Sequence, residues 1–171
     1  MRYLYFPVLF ALALLLQSSA VPAILPEWFV EGFDLPLIIA VHIAISRGKI
    51  PGMMAGAVIG YLQDALSGGV LGINGVSKIV AGYMGGYLRT KFFVGSLAHR
   101  TAIVAGTVFI TLFGKVGVLA LFDQPHPPLM SAQFLWGFVG NTLFALFTHA
   151  LLDRFESYLG IRAEEELSLG D

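Results

Sequence analysis

Three ionisable residues fall inside long apolar stretches of this chain, and their positions could bring them together. Asp64, Lys78 and Lys115 belong to three different stretches, and a helical rise of about 1.5 Å per residue puts them at a similar depth. A charge in an apolar medium costs several kcal/mol unless it is paired or hydrated. The sequence therefore predicts a polar centre in which the Asp64 carboxylate neutralises one or both lysines.

Uncharged polar side chains extend this predicted centre. Gln63, Asn74 and Asn141 could join it through hydrogen bonds. Two interpretations stay open: the centre is purely structural, or it lines an outward-facing cavity that holds a ligand or a segment of a partner. Asp34 is a separate case, because an aspartate followed by Leu-Pro is typical of a helix N-cap. We expect this residue to begin the helix that follows it.

The chain lacks the residue patterns of common catalytic centres. It has no cysteine, which excludes disulfides and thiolate metal sites. Neither a nucleophile-elbow motif nor a phosphate-binding glycine loop is present. The histidines lie in four separate segments with no i, i+4 pair that would favour a metal ion. We therefore expect no catalytic residues, metal ions or cofactors; the histidines are His42, His99, His126 and His149.

The composition is typical of a membrane protein. Hydrophobic residues make up 57% of the 171 residues and charged residues only 12%, against about 25% charged residues in an ordinary soluble domain. This shortage of charge excludes a soluble enzyme, a disordered tail and a basic protein that binds nucleic acid. The mean hydropathy of +0.80 agrees. We predict an integral membrane protein.

Six apolar blocks follow one another along the chain. About 20 apolar residues are needed to cross a bilayer core of about 30 Å. Charged residues and a proline interrupt the second block, so its continuous part, residues 35–45, is short for a full span. The prediction is an all-α polytopic membrane protein, a six-helix transmembrane bundle forming one domain over residues 1–160, with a short acidic cytoplasmic tail over residues 161–171. The blocks are residues 4–21, 28–45, 51–66, 70–88, 101–122 and 132–152.

Two alternatives reduce the number of spans. Arg2, the apolar run after it and Ser18-Ser19-Ala20 resemble a cleavable signal peptide, whose removal would leave five helices. A re-entrant hairpin over residues 35–66 is disfavoured, because it would bury Arg47 and Lys49 near the midplane at a cost of roughly 2.5–3.5 kcal/mol each. Two short or tilted spans joined by a charged turn are less costly.

The cationic residues predict how the chain is oriented. Lys and Arg accumulate in the cytoplasmic loops of membrane proteins. Eight of the ten cations fall on one side of the predicted bundle, the outer segments hold none, and the other two, Lys78 and Lys115, lie within predicted spans. We predict a multi-pass protein with both termini in the cytoplasm. The cytoplasmic cations are Arg2, Arg47, Lys49, Arg89, Lys91, Arg100, Arg154 and Arg162.

Glycines recur at helical spacing in the third and fourth blocks. Small residues let helix backbones approach closely in a membrane, where the hydrophobic effect adds little attraction between helices. The third block carries Gly52, Gly56 and Gly60 on one face, and the fourth carries Gly82 and Gly86. These glycines either pack the two helices against each other or receive the transmembrane helix of a partner.

The most specific pattern runs from Gly60 to Lys78, GYLQDALSGGVLGINGVSK, with Asp34-Leu35-Pro36 upstream. It resembles the MreD family of bacterial rod-shape-determining membrane proteins, which carry a Gly-Leu-x-Gln-Asp run, a turn of small residues and then Gly-x-Asn-x-x-x-Lys. Tyr61 and Gly75 stand where leucine and alanine are expected, and both changes are conservative for packing. The resemblance lies mainly in residues 34 to 90.

This resemblance implies a function and a set of partners. Family members are non-enzymatic components of the machinery that elongates the lateral cell wall in the bacterial inner membrane. They bind the transmembrane or juxtamembrane part of MreC and act with MreB, RodA and its partner transpeptidase, in contact with membrane lipid. The family also resembles the membrane substrate-binding component of energy-coupling-factor transporters. A substrate-binding subunit of a vitamin transporter is therefore the alternative function.

Overall fold

Helices form all the regular structure in the residues that a computed structural model describes, which are 2–24, 26–30, 32–68, 71–91, 97–129 and 131–158. No strand occurs in these residues, so the predicted all-α class is confirmed for them. The predicted acidic tail, residues 161–171, lies outside them. The elements are α1 (Arg2–Leu15), a π-helix (Leu16–Ala20), α2 (Val21–Ile24), α3 (Glu27–Val30), α4 (Leu35–Arg47), α5 (Lys49–Ser67), α6 (Ile73–Lys91), α7 (Leu97–Leu121) and α8 (Ala132–Tyr158).

Each predicted apolar block overlaps at least one of these helices: the first corresponds to a continuous run of α1, the π-helix and α2, and the second overlaps both α3 and α4. Within the described residues three helical segments are long and apolar enough to cross a membrane: Tyr5–Ile24, Ala98–Leu121 and Ala132–Tyr158. The structure therefore supports a helical membrane protein. Six crossings stay a prediction, because α4, α5 and α6 do not meet both criteria of length and hydropathy.

Helix α4 occupies the centre of the bundle. Every residue from Leu35 to Ile45 is buried, and α4 contacts α1, α5, α6, α7 and α8. Its 13 residues extend over only about 20 Å at a rise of about 1.5 Å per residue. Because other helices surround α4, its length does not have to match the thickness of a bilayer. This burial explains how the second block can be short and interrupted.

Successive helices run in opposite directions, which brings basic residues together at one end of the bundle. The guanidinium of Arg89, near the end of α6, donates to the Ser46 carbonyl near the end of α4 at 2.9 Å. Arg100, near the start of α7, donates to the Asp153 carboxylate near the end of α8 at 2.5 Å. We call this the basic end. Asp34 and Asp64 lie toward the opposite end, which we call the acidic end.

The five predicted interface glycines lie between α5 and α6 of this same chain. A Cβ atom on Gly60 would come within 2.6 Å of the Asn74 carbonyl oxygen, and one on Gly52 within 2.8 Å of the Gly82 carbonyl oxygen. Real Cβ atoms essentially never approach closer than 3.0 Å. Gly56, Gly82 and Gly86 are equally close to the facing backbone. The two helices occupy this glycine face themselves, so it is not open to the helix of a partner.

Candidate functional site

The polar centre of the bundle is built around an ion pair between Lys78 and Asp34. Lys78 is fully buried on α6, and its Nζ lies 2.6 Å from Oδ2 of Asp34. The other carboxylate oxygen, Oδ1, accepts the backbone N–H of Leu37 at 3.0 Å, so Asp34 is the N-cap of α4. The predicted capping role of Asp34 is confirmed. The same side chain also neutralises the buried lysine, a role that the sequence analysis did not assign to it.

Asp64 has a different function from the one predicted. It is buried near the end of α5, and its two oxygens accept the backbone N–H groups of Gly72, Asn74 and Gly75 at 2.8 to 3.2 Å. Its Oδ1 also accepts the Asn74 side-chain amide at 2.8 Å. These donors surround the start of α6, where unpaired N–H groups and the helix dipole favour a negative charge. The carboxylate that pairs directly with Lys78 is therefore Asp34, and the Asp64 charge acts on Lys78 only at longer range.

Two amide side chains hold the backbone that leads into α4. Asn141 accepts the N–H of Asp34 at 2.8 Å and donates to the carbonyls of Gly32 and Gly137 at 2.7 and 2.6 Å. Gln17 donates to the Phe33 carbonyl and accepts the N–H of Leu35, both at 2.9 Å. A non-helical segment inside a helical bundle needs such partners, because a buried, unpaired backbone group is costly.

Gln17 was missed by the sequence analysis. The signal that could have found it is a single amide side chain inside the first apolar block. Gln17 lies in the π-helix, Leu16–Ala20, a rare element that often marks a functional position. In this chain the π-helix accompanies a side chain that makes two hydrogen bonds to the loop before α4.

A partly open cavity of about 190 Å³ adjoins the ion pair. Of the predicted polar residues, Gln63 and Lys115 line this cavity. The structure thus divides the predicted centre into three groups. Asp64 and Asn74 lie at the start of α6, where Asp64 caps the helix. Lys78 and Asn141 hold Asp34. Gln63 and Lys115 line the cavity. The other polar residues of the wall are Gln17, Asp34, Ser77, Thr111 and Gln133.

A second polar cluster lies nearer the basic end. His42 on α4 and His149 on α8 are fully buried, with ring centroids 5.0 Å apart. The Nε2 atom of His42 lies 3.3 Å from Oε1 of Glu156, and the Tyr5 hydroxyl donates to the same oxygen at 3.2 Å. The Nε2 atom of His149 lies 3.3 Å from the Ile38 carbonyl. This cluster joins α4 and α8 to the start of the chain.

Three members of this region could act as metal ligands. His42, Asp153 and Glu156 each offer one ligand atom, and these atoms lie within 4.8 Å of one another. However, Arg100 already donates to Asp153, and Arg47 is close enough to Glu156 to interact electrostatically with it. Two guanidinium groups thus compete with a metal ion for the carboxylates. The arrangement is better described as an ion-pair network.

The spacing between the histidines alone does not reveal this cluster. His149, Asp153 and Glu156 are spaced i, i+4 and i+7, so they share one face of α8. That spacing is the signal that could have revealed the cluster. The tertiary structure then adds His42, which is more than a hundred residues away in the chain.

Fold and site together define a class for the described part of the chain: a helical protein with three helices long and apolar enough to span a membrane, and a buried polar centre whose groups mainly cap helices and form an ion pair. Comparisons with known proteins do not narrow this class, since no protein-family model, curated protein or solved structure matches the chain. The resemblance to the MreD family therefore rests on the motif residues quoted above.

Proposed function

We propose that this protein is a non-enzymatic component of the bacterial complex that elongates the lateral cell wall, where it binds MreC and helps to maintain rod shape and regulate peptidoglycan synthesis. The proposal is supported by the contacts that the motif residues make inside the bundle. Asp34, Asp64, Asn74 and Lys78 form the buried caps and ion pair that connect α4, α5 and α6. A motif with this structural role is what a scaffold protein without chemistry of its own would need.

The proposal includes a location. All six predicted spans cross the bacterial inner membrane, with the basic end and both termini in the cytoplasm. Supporting this, Arg47, Arg89 and Arg100 lie at one end of the described bundle. The short helix α4 crosses the membrane surrounded by other helices. MreB, RodA and its partner transpeptidase then act on the complex directly or through MreC.

The surface that meets MreC must lie outside the α5–α6 interface, whose glycines are already in contact with each other. Exposed apolar side chains suit a transmembrane partner, and α5 and α8 carry them at Val58, Leu62, Leu143 and Phe147. Lipid covers such side chains equally well, so an experiment has to identify which positions MreC contacts.

The chain contains no cysteine, so each introduced cysteine is the single thiol of this protein and can be labelled specifically. Single cysteines at the four exposed positions are coupled to a photo-crosslinker in membranes that contain MreC. We expect MreC to copurify in detergent and to crosslink at one or more exposed positions. Ile59→Cys is the matched control, since Ile59 is the fully buried neighbour of Val58. Failure of MreC to copurify with the folded, unmodified protein would overturn the proposal.

The cavity beside Lys115 favours one second candidate, a substrate-binding membrane subunit of an energy-coupling-factor vitamin transporter. A concave site with a few polar groups among apolar ones is typical of small-molecule binding. Mass spectrometry of the purified protein separates the two functions. Recovery of a vitamin in stoichiometric amount, without MreC, would favour the transporter subunit.

A further inference from the structure

The cavity next to the ion pair is lined by a lysine that has no direct ion-pair partner in the described residues. Asp34 and Lys78 pair with each other at 2.6 Å, and the Asp64 carboxylate is held by backbone N–H groups at the start of α6, whereas Lys115 makes no hydrogen bond or ion pair within the described residues. Lys115 nevertheless lies near enough to both members of the pair to interact with them electrostatically. A half-buried ammonium group in a bundle of apolar helices needs an anion or water to offset its charge.

A second group in the cavity wall also lacks a partner. The side-chain oxygen of Gln63 is buried, and no hydrogen bond reaches it from the described residues. This oxygen is not accessible from the cavity, so the NH₂ group of Gln63 reaches a ligand there after the side chain rotates. Lys115 and Gln63 line the same cavity, so each can supply a donor to an anion bound there.

The hydroxyl groups of the wall provide acceptors. Ser77 donates to the Ile73 carbonyl at 2.9 Å, and Thr111 donates to the Thr107 carbonyl at 2.7 Å. Their protons are thus used within their own helices, while their oxygens can still accept hydrogen bonds. A ligand that fits this wall carries hydroxyl donors as well as a negative charge.

The size and setting of the cavity point to part of an amphiphile. Its volume of about 190 Å³ equals that of roughly six water molecules at about 30 Å³ each, which is enough for the bonded atoms of a small headgroup and too little for a whole lipid. Apolar residues of α7, including Leu112, Val116 and Leu119, complete the wall. Helix α7 is one of the helices long and apolar enough to cross a membrane, so acyl chains can lie along it.

We propose that this cavity binds the headgroup of an anionic, hydroxyl-bearing phospholipid, with its phosphate on Lys115 and Gln63 and its hydroxyls on Ser77 and Thr111. This proposal does not depend on MreC binding, and it is tested on the purified protein alone. The same phosphate chemistry exists in free phosphate, and the experiment includes an arm for it.

Native mass spectrometry of the full chain in detergent, after removal of endogenous lipid, tests the proposal with added phosphatidylglycerol. Phosphatidylglycerol should bind at least tenfold more tightly than phosphatidylcholine, which has a phosphate but no net charge, or inorganic phosphate. Lys115→Gln should weaken phosphatidylglycerol binding about tenfold or more, since a hydrogen bond to a charged group contributes about 1.5–3 kcal/mol. Lys115→Arg should retain binding. Lys49→Gln, an exposed lysine of the basic end, is the matched control and should bind normally.

Several outcomes would overturn the proposal. Equal binding of phosphatidylcholine, or unchanged binding by the Lys115→Gln variant, would exclude a charge-selective site. Inorganic phosphate that competes at equal concentration would indicate a site for free anions. If Lys115→Gln does not fold, Gln63→Leu replaces it and should lower phosphatidylglycerol binding. Glu31 adjoins the wall residue Gly32 in sequence and lies outside the described residues; a tenfold gain in binding by Glu31→Gln would show that the chain neutralises Lys115 itself.

Discussion

Lys78 on α6 donates to Asp34 at the start of α4 across 2.6 Å, although the two residues are 44 positions apart in the chain. The contact connects the central helix to the glycine-packed pair α5–α6. Asp34 uses its second oxygen to cap α4, so one side chain both begins the central helix and neutralises a buried charge. We therefore expect the stability of the bundle to depend on Asp34 and Lys78.

Removing one partner of this ion pair should cost more stability than removing both charges. Lys78→Met leaves the Asp34 carboxylate buried without its partner, and breaking such a pair costs about 3–5 kcal/mol. In the double variant Asp34→Asn/Lys78→Met no charge remains, and asparagine can still cap α4. We expect the melting temperature in detergent to fall in the order unmodified protein, double variant, Lys78→Met. A double variant less stable than Lys78→Met would contradict the assigned pair.

Asp64 should contribute stability as an acceptor more than as a charge. Asp64→Ala leaves several N–H groups at the start of α6 without an acceptor, at a cost of about 1–3 kcal/mol for each donor left unsatisfied. Asp64→Asn keeps one oxygen and should lose less. Thermal unfolding in detergent measures both variants, and Asp123→Asn, at an exposed position with a backbone φ of 56° that asparagine tolerates, is the control. Equal melting temperatures for the alanine and asparagine variants would argue against the capping role.

Substitutions at the α5–α6 interface should be much more damaging than the same change on α7. Gly56→Leu and Gly82→Leu would drive a side chain into the backbone of the facing helix. Gly114 and Gly117 have no atom within 4 Å of a built Cβ, so Gly114→Leu and Gly117→Leu should be tolerated. Monodispersity on size-exclusion chromatography and the melting temperature provide the measurements. A stable, monodisperse Gly56→Leu variant would show that the two helices are not in close contact.

Removing an arginine near His42 should lower the melting temperature, whereas adding a metal ion should leave it unchanged. Arg100→Gln removes the guanidinium from Asp153 and should lower the melting temperature, whereas the double variant Arg100→Gln/Asp153→Asn should recover part of the loss. Addition of Zn²⁺ to the unmodified protein should leave the melting temperature unchanged, because arginines already balance the carboxylates. A zinc-dependent increase that disappears in His42→Ala would instead identify a metal site.

Much of the architecture was accessible from local sequence patterns. Each predicted block overlaps a helix because helix formation and apolar length are properties of a continuous stretch of chain. The cap formed by Asp34 was predictable for the same reason, since the carboxylate and the N–H that it accepts are only three residues apart. The glycine spacing likewise predicted a face of close approach.

The partners of the charged residues were decided by the tertiary structure. Equal depth made a pairing of Asp64 with Lys78 or Lys115 plausible, but contact also requires that side chains on different helices face each other. A helix turns about 100° per residue, so depth along its axis says nothing about the neighbour that a side chain meets. Packing of α6 against α4 turned Lys78 toward Asp34, and left Asp64 at the start of α6.

The sequence by itself determined a helical membrane protein with a basic end, a capped central segment and a glycine face, because each of these depends on residues close together in the chain. Only the tertiary structure decided that the glycine face is covered by the chain itself, that Asp34 holds Lys78, and that Lys115 faces a cavity. These three features depend on which helices are neighbours and how each is rotated about its axis, and that is settled by packing throughout the bundle.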